Sequence, residues 1–258
     1  MTPLTIALIQ TDLLWQDPSG NLRMLEEKIR SIGENTDLIV LPEMFTTGFT
    51  MDAERLAEPM DGDAVSWMHQ MAKEKNSVVA GSLIIREADQ YYNRLVWMRP
   101  DGQWDAYDKR HLFTFAGEDK FYTPGTKHLI VQLKGWKIMP LTCYDVRFPV
   151  WSRNTQGYDL LLYVASFPEK RIHAWKSLLV ARAIENQCYT IGLNRVGYDG
   201  NGIYHSGDSR VINYEGQILF EQSKEETIHL TTLSFEKQQQ FRESLQFLKD
   251  SDSFNLIY

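Results

Sequence analysis

Two apolar runs near the N-terminus, with a helical stretch between them, constrain the fold more than any other feature. "LTIALIQ" and "DLIVLPE" have strand character, while Leu22, Leu25, Ile29 and Ile32 between them recur at helical spacing. A strand, a crossover helix and a second strand make a unit whose two strands run parallel. The pattern then continues. A helix around Val65 to Lys75 leads into "SVVAGSLII", and "NRLVWMRPDGQWDAYDK" reads as two strands joined by a Pro-Asp-Gly turn. "HLIVQLKGWKIMPLT" is a hairpin bending at Lys134-Gly135, followed by a helix, the buried run "DLLLYVAS" and the helix "AWKSLLVARAIENQ". "YTIGLNRVG", a glycine-rich turn "YDGNG", the hairpin "SRVINYEGQILFEQ" and a polar helix near 236–249 complete the chain. Strands and helices that alternate with so many hairpins predict an α/β protein with mixed sheets. Two packed sheets flanked by helices accommodate that many strands. With no Pro/Gly/Ser-rich linker or internal repeat, residues 1–258 are expected to form a single domain.

Composition narrows the function. A formal charge of −7 and a pI near 5.4 lack the basic footprint that nucleic acid or an anionic membrane surface requires, so no nucleic-acid or membrane partner is expected. No apolar run approaches the roughly 18 residues needed to span a bilayer. The opening "MTPLTIALIQTD" has neither a basic leader nor a small-residue cleavage pattern and reads as a first strand. Two cysteines in 258 residues cannot build a disulfide framework and point to thiols in a reducing cytoplasm. A small-molecule substrate and a usable thiolate remain.

Three reactive residue types fall at strand ends, where α/β folds gather their sites: Glu43 after "LIVLP", Lys109 after "WDAYD" and Cys143 after "KIMPLT". Each alone has an ordinary explanation as a turn acid, a surface lysine or a core thiol. Together they make a chemical set. A thiol with an unperturbed pKa of about 8.5 needs a base to form thiolate, and Glu43 is that base. A helix starting after Cys143 would add positive potential at the sulfur. Attack on an amide builds an oxyanion that Lys109 and the backbone N–H of Tyr144 would stabilise.

"LIVLPEMF", "YDKRHLF" and "LTCYDVRFP", in this order, resemble the three signature segments of the nitrilase superfamily of carbon-nitrogen hydrolases. The resemblance runs from "IALIQTD" to "GDSRVINYEG", nearly the whole chain. It implies a four-layer α-β-β-α sandwich with two mixed sheets, a homodimer, and a Glu43-Lys109-Cys143 triad. It also implies a second glutamate, Glu118 in "HLFTFAGEDKFYTPG", that holds Lys109 and orients substrate. "CYDVRFP" and "ARAIENQCY" are most similar to the omega-amidase branch, which implies hydrolysis of the terminal amide of 2-oxo dicarboxylic acid monoamides such as 2-oxoglutaramate or 2-oxosuccinamate.

A substrate with a carboxylate far from its amide needs a cation, and Arg147 is the candidate; the competing reading pairs Arg147 with Asp145 to steady the turn. Phe167 and Trp175 are candidate pocket walls, against plain core aromatics. Cys188 reads as structural, as do His111, His173 and His205. The reaction needs no metal and no organic cofactor, and no clustered His/Cys spacing suggests zinc. Two alternatives stay open: a nitrilase or carbamoyl-amide hydrolase with the same triad, and a non-catalytic protein on this fold. A third reading, a cysteine-histidine hydrolase with His111 or His173 as base, differs at Glu43.

Overall fold

The computed structural model describes residues 2–33 and 35–256. Thirteen strands and five α-helices are present among them. In chain order they are β1 (Leu4–Gln10), α1 (Pro18–Ser31), β2 (Leu38–Val40), α2 (Ala53–Leu56), α3 (Asp63–Lys75), β3 (Val78–Glu87), β4 (Gln90–Met98) and β5 (Trp104–Asp108). Then follow β6 (Val131–Leu133), β7 (Trp136–Thr142), β8 (Leu160–Ala165), α4 (Ile172–Asn186) and β9 (Tyr189–Asn194). The last are β10 (Val196–Tyr198), β11 (Tyr204–Ile212), β12 (Ile218–Ser223), β13 (Thr227–Leu233) and α5 (Phe235–Ser244).

The strands form two mixed sheets, as the resemblance implied. One runs β13-β1-β2-β3-β4-β5, and the other β10-β11-β9-β8-β7-β6 with β12 on β11. Each has a parallel heart: β1, β2 and β3 in the first sheet, β7, β8 and β9 in the second. Hairpins extend both. The apolar runs are continuous rather than alternating because both faces of the inner strands are covered. Ile6, Leu8, Leu38 and Val40 enter the core shared with Leu141 and Leu161 of the second sheet, while Ala7, Ile9, Ile39 and Leu41 pack on Leu25 and Ile29 of α1 and Met68 and Met71 of α3. Leu179 and Ala183 of α4 cover the second sheet. Each fully buried side chain of this kind contributes about 1.5–3 kcal/mol.

Local signals work as physics predicts. Asp17 caps α1 by accepting from the Gly20 N–H at 2.9 Å, with Pro18 in the first turn. Lys134 (φ 51°) and Gly135 (φ 88°) take the left-handed pair of angles that a two-residue hairpin needs.

Three elements depart from expectation. Cys143 opens a 3₁₀ turn of five residues, Cys143–Arg147, rather than an α-helix. Pro149 explains it, since a proline disfavours α conformation in the residue before it and cannot donate into a helical ladder. The C-terminal helix stops at Ser244, and Phe247–Asp250 forms a separate 3₁₀ turn. Finally "TIHLTTL" is the strand β13, which pairs antiparallel with β1.

Candidate active site

Strand ends assemble the site. Glu43 lies three residues past β2, Lys109 directly past β5, Cys143 directly past β7 and Ser166 directly past β8. The parallel strands β7 and β8 are hydrogen-bonded neighbours, so Cys143 and Ser166 emerge side by side. Facing sheets supply the other half.

Lys109 is the hub. Its Nζ donates to Glu43 Oε1 at 2.9 Å and to both carboxylate oxygens of Glu118 at 3.0 and 2.9 Å. All three side chains are fully buried. Burial disfavours the ammonium, yet Glu118, Glu43 and the nearby Cys143 offset it and hold the Lys109 pKa above the ordinary lysine value. Glu118 is shifted up, first by burial and then by Glu43, with Lys109 pulling against both. The backbone N–H of Phe113 donates to its second oxygen at 2.5 Å. Glu43 is fixed at both ends: Asn93 Nδ2 donates to Oε1 at 2.8 Å and the Ser166 N–H to Oε2 at 2.8 Å. Asn93 also reaches Glu118 Oε1 at 3.3 Å, so one amide group spans the two carboxylates.

Cys143 has φ 45°, a left-handed conformation that costs a residue with a side chain about 1–3 kcal/mol. Its thiol feels the Glu43 carboxylate and the Lys109 ammonium from opposite sides of the charge balance. Burial, then the Glu43 charge, pushes the thiol well above its usual pKa, and Lys109 and the Ser166 N–H offset only part of that. The resting sulfur is therefore protonated. The 3₁₀ turn is too short to supply the helix potential expected from the sequence.

Asp145 holds this geometry. Its carboxylate, fully buried, accepts from Tyr107 Oη at 2.8 Å, from the Thr142 N–H at 3.1 Å and from the His111 N–H at 3.0 Å; it also bonds His111 Nδ1 at 2.8 Å. Tyr107 and His111 flank Lys109 in sequence and Thr142 precedes Cys143, so one carboxylate locks the ammonium loop to the thiol turn. Asp145 thus has no bond to Arg147 among the described residues. His111, also stacked on Phe148 at 3.6 Å, serves structure as expected.

A cavity of about 270 Å³ opens over Cys143 and Lys109, and Tyr144, Arg147 and Phe167 are among the residues that line it. Trp175 does not. It is fully buried on α4, its Nε1 donates to the Asp208 carbonyl at 3.0 Å, and its ring backs Phe167 at 5.3 Å, so it is core. Cys188 is buried beside Thr190 at 3.8 Å, apart from the cavity. His173 is exposed.

Sequence reasoning missed several residues. Ser166 occupies the same strand-end position as Cys143 one strand over, which the strand-end rule would have found. Asn93 is a fully buried amide in β4, next to Arg94 at the start of the run "LVWM", and no motif pointed to it. Arg171 and Phe113 line the cavity but sit in segments that read as solvated or as motif filler. His205, expected to be structural, is 3% exposed and lines the cavity as well.

The chain is similar to known proteins over its full length. An omega-amidase of Escherichia coli K12 is 44% identical over 99% of this chain and all of its own length. A 2-oxoglutaramate amidase of Bacillus subtilis is 34% identical over 95% of this chain and 96% of its own. The crystal structure of XC1258 from Xanthomonas campestris, a CN-hydrolase superfamily protein with an arsenic adduct in its active site, superposes with a TM-score of 0.97. It is 41% identical and covers 99% of this chain and 100% of its own. The carbon-nitrogen hydrolase family model matches residues 5–243, a span that contains both sheets except Leu4 and every residue of the buried Glu43-Lys109-Glu118-Cys143 cluster. By that match and by full-length identity to two amidases, the chain belongs to the carbon-nitrogen hydrolase family.

Proposed function

We propose that the protein is a cysteine amidase that hydrolyses the terminal amide of 2-oxo dicarboxylic acid monoamides, 2-oxoglutaramate or 2-oxosuccinamate, to the dicarboxylate and ammonia. The observation that carries the reading is the buried set in which the Lys109 ammonium pairs with Glu43 and Glu118 beneath the cavity that Cys143 lines. The names of the two amidase relatives support the substrate class.

The steps follow from the geometry. Glu43 takes the Cys143 proton as Sγ bonds the amide carbon, and the carbonyl pair becomes an oxyanion held by Lys109 Nζ and the Tyr144 N–H. Glu43 then returns the proton to nitrogen, the C–N bond breaks and ammonia leaves a thioester. Water attacks the thioester carbon, losing a proton to Glu43. Collapse releases the carboxylic acid, and Glu43 reprotonates the sulfur. Glu118 keeps Lys109 in place and charged. Arg147 takes the distal carboxylate, with Phe167 as a wall. No cofactor enters these steps. A cytoplasmic homodimer, each subunit one domain, completes the reading; no helix among the described residues is long and apolar enough to cross a membrane.

Ammonia release from 2-oxoglutaramate tests it. Wild type should release ammonia, Cys143→Ala none, and Glu43→Gln should lose about 10²–10⁴-fold in kcat. Full activity in Glu43→Gln would move the base role to a histidine. Silence from folded wild type sinks the substrate assignment and leaves nitriles, carbamoyl amides or a non-catalytic role.

A further inference from the structure

Arg147 is not the only cation over the thiol. Arg171 ends the 3₁₀ turn Glu169–Arg171 that leads into α4, and it lines the same cavity as Arg147, Cys143 and Lys109. Both guanidinium groups are half-buried and held by aromatic rings. Arg171 lies over Phe113 with its central carbon 4.8 Å from the ring centroid, and 6.0 Å from that of Phe115; Arg147 lies 5.5 Å from that of Phe167. Stacking covers the faces of a guanidinium and leaves its in-plane N–H donors available.

Those donors have no counter-charge among the described residues. Elsewhere the chain treats its buried arginines differently: Arg94, Arg182, Arg195 and Arg210 each meet a carboxylate within 3.0 Å, as does half-buried Arg242. Asp199 also lines the cavity, but its Oδ1 accepts from the backbone N–H groups of Asn201 and Ile203 at 2.8 and 2.9 Å. Burial, and then the neighbouring Arg147 charge, lowers the Arg171 pKa, as two cations facing one space require. Two like charges brought together without a partner are unfavourable until an anion arrives.

We propose that Arg171 is a specificity residue: with Arg147 it forms a two-guanidinium clamp that takes the carboxylate end of the substrate while the amide lies at Cys143. The assignment rests on the amidase reading above and adds to it a second cation, so that recognition of the acid end is shared between the turn after β7 and the turn before α4. It makes the site selective for anionic over neutral amides of equal length.

The test has a binding arm and a kinetic arm. In the first, 2-oxoglutarate is titrated calorimetrically into Cys143→Ala protein with and without Arg171→Gln. In the second, wild type, Arg171→Gln and Arg171→Lys are assayed on 2-oxoglutaramate and on neutral pentanamide. Loss of one charge-assisted contact predicts a rise of about ten- to a hundredfold in Kd for 2-oxoglutarate and in KM for 2-oxoglutaramate, with kcat/KM on pentanamide within about threefold of wild type. Arg171→Lys should fall between, keeping the charge without the fork. An unchanged Kd overturns the clamp, as does an equal loss on both amides, which marks a structural role. If pentanamide resists every form, the Kd comparison decides alone. A weakened Kd in a protein that never cleaves 2-oxoglutaramate keeps the clamp and removes the amidase reading. Cleavage with a Kd indifferent to Arg171 does the reverse.

Discussion

The floor and the mouth of the cavity carry the same kinds of charge and handle them in opposite ways. On the floor, one ammonium is paired with acid: Lys109 has bonds of 2.9 to 3.0 Å to two buried carboxylates, and Asn93 stitches those carboxylates together. At the mouth, Arg147 and Arg171 have aromatic faces against them and no acid among the described residues. A closed network fixes atoms for chemistry that is identical for every amide. An open one waits for a partner and so selects which amide enters. Rigidity and selectivity are thus assigned to different ends of a single space.

Removing the hub should produce the largest effect. Lys109→Met leaves Glu43 and Glu118 buried side by side without their counter-ion, and breaking a buried ion pair from one side costs about 3–5 kcal/mol. The expected outcome is a lower denaturant midpoint together with loss of turnover by a factor of about 10² or more, since an oxyanion donor is lost as well. A stable, active Lys109→Met protein would erase the distinction drawn here. Urea unfolding and the ammonia assay read both effects.

The mouth offers a pH test. His205 lines the same cavity: burial, and then the charge of Arg195, pushes its pKa down to about 4. The unfolded value is about 6.5, so the unfolded chain binds the proton first as pH falls. His205 therefore contributes stability in full above about pH 6.5 and loses it as pH falls through 4, at most about 3 kcal/mol at 1.4 kcal/mol per unit. His205→Asn should flatten the urea-unfolding free energy between pH 6.5 and 4. An unaltered slope in the variant would show that the imidazole does not titrate there.

The smallest effect separates the two cysteines. Cys188→Ala removes one buried sulfur from the core and should cost about 1 kcal/mol without altering kcat, against complete loss in Cys143→Ala. Thermal unfolding and the ammonia assay on the same preparation decide it.

Much of the floor was legible in the sequence because Glu43, Lys109 and Cys143 each follow a strand that announces itself by composition, while Glu118 was found through its motif. "LIVLP", "WDAYD" and "KIMPLT" are local signals, and fixing the strand fixes the position of the acid, the amine or the thiol after it. The mouth was less legible. Arg147 was found through its motif, whereas Arg171 lies in "PEKRI", a charged run that looks solvated until Phe113 folds over it from more than fifty residues away. β13 was missed for a related reason: its side chains are mostly half-exposed, and what makes it a strand is pairing with β1 at the far end of the chain. The short turn after Cys143 could have been read, since Pro149 stands in plain view. Trp175 misled because an aromatic near a site does not declare which side of the backbone it occupies.

The left-handed backbone at Cys143 has a consequence for the durability of the whole molecule. A strain of about 1–3 kcal/mol at one residue is a large fraction of the 5–15 kcal/mol that separates a folded domain from its unfolded chain. Glycine would relax that turn, and it would also delete the sulfur. The position is one where a hardier protein and a working one are different proteins, so any programme that selects for heat resistance alone will tend to discard the reaction first.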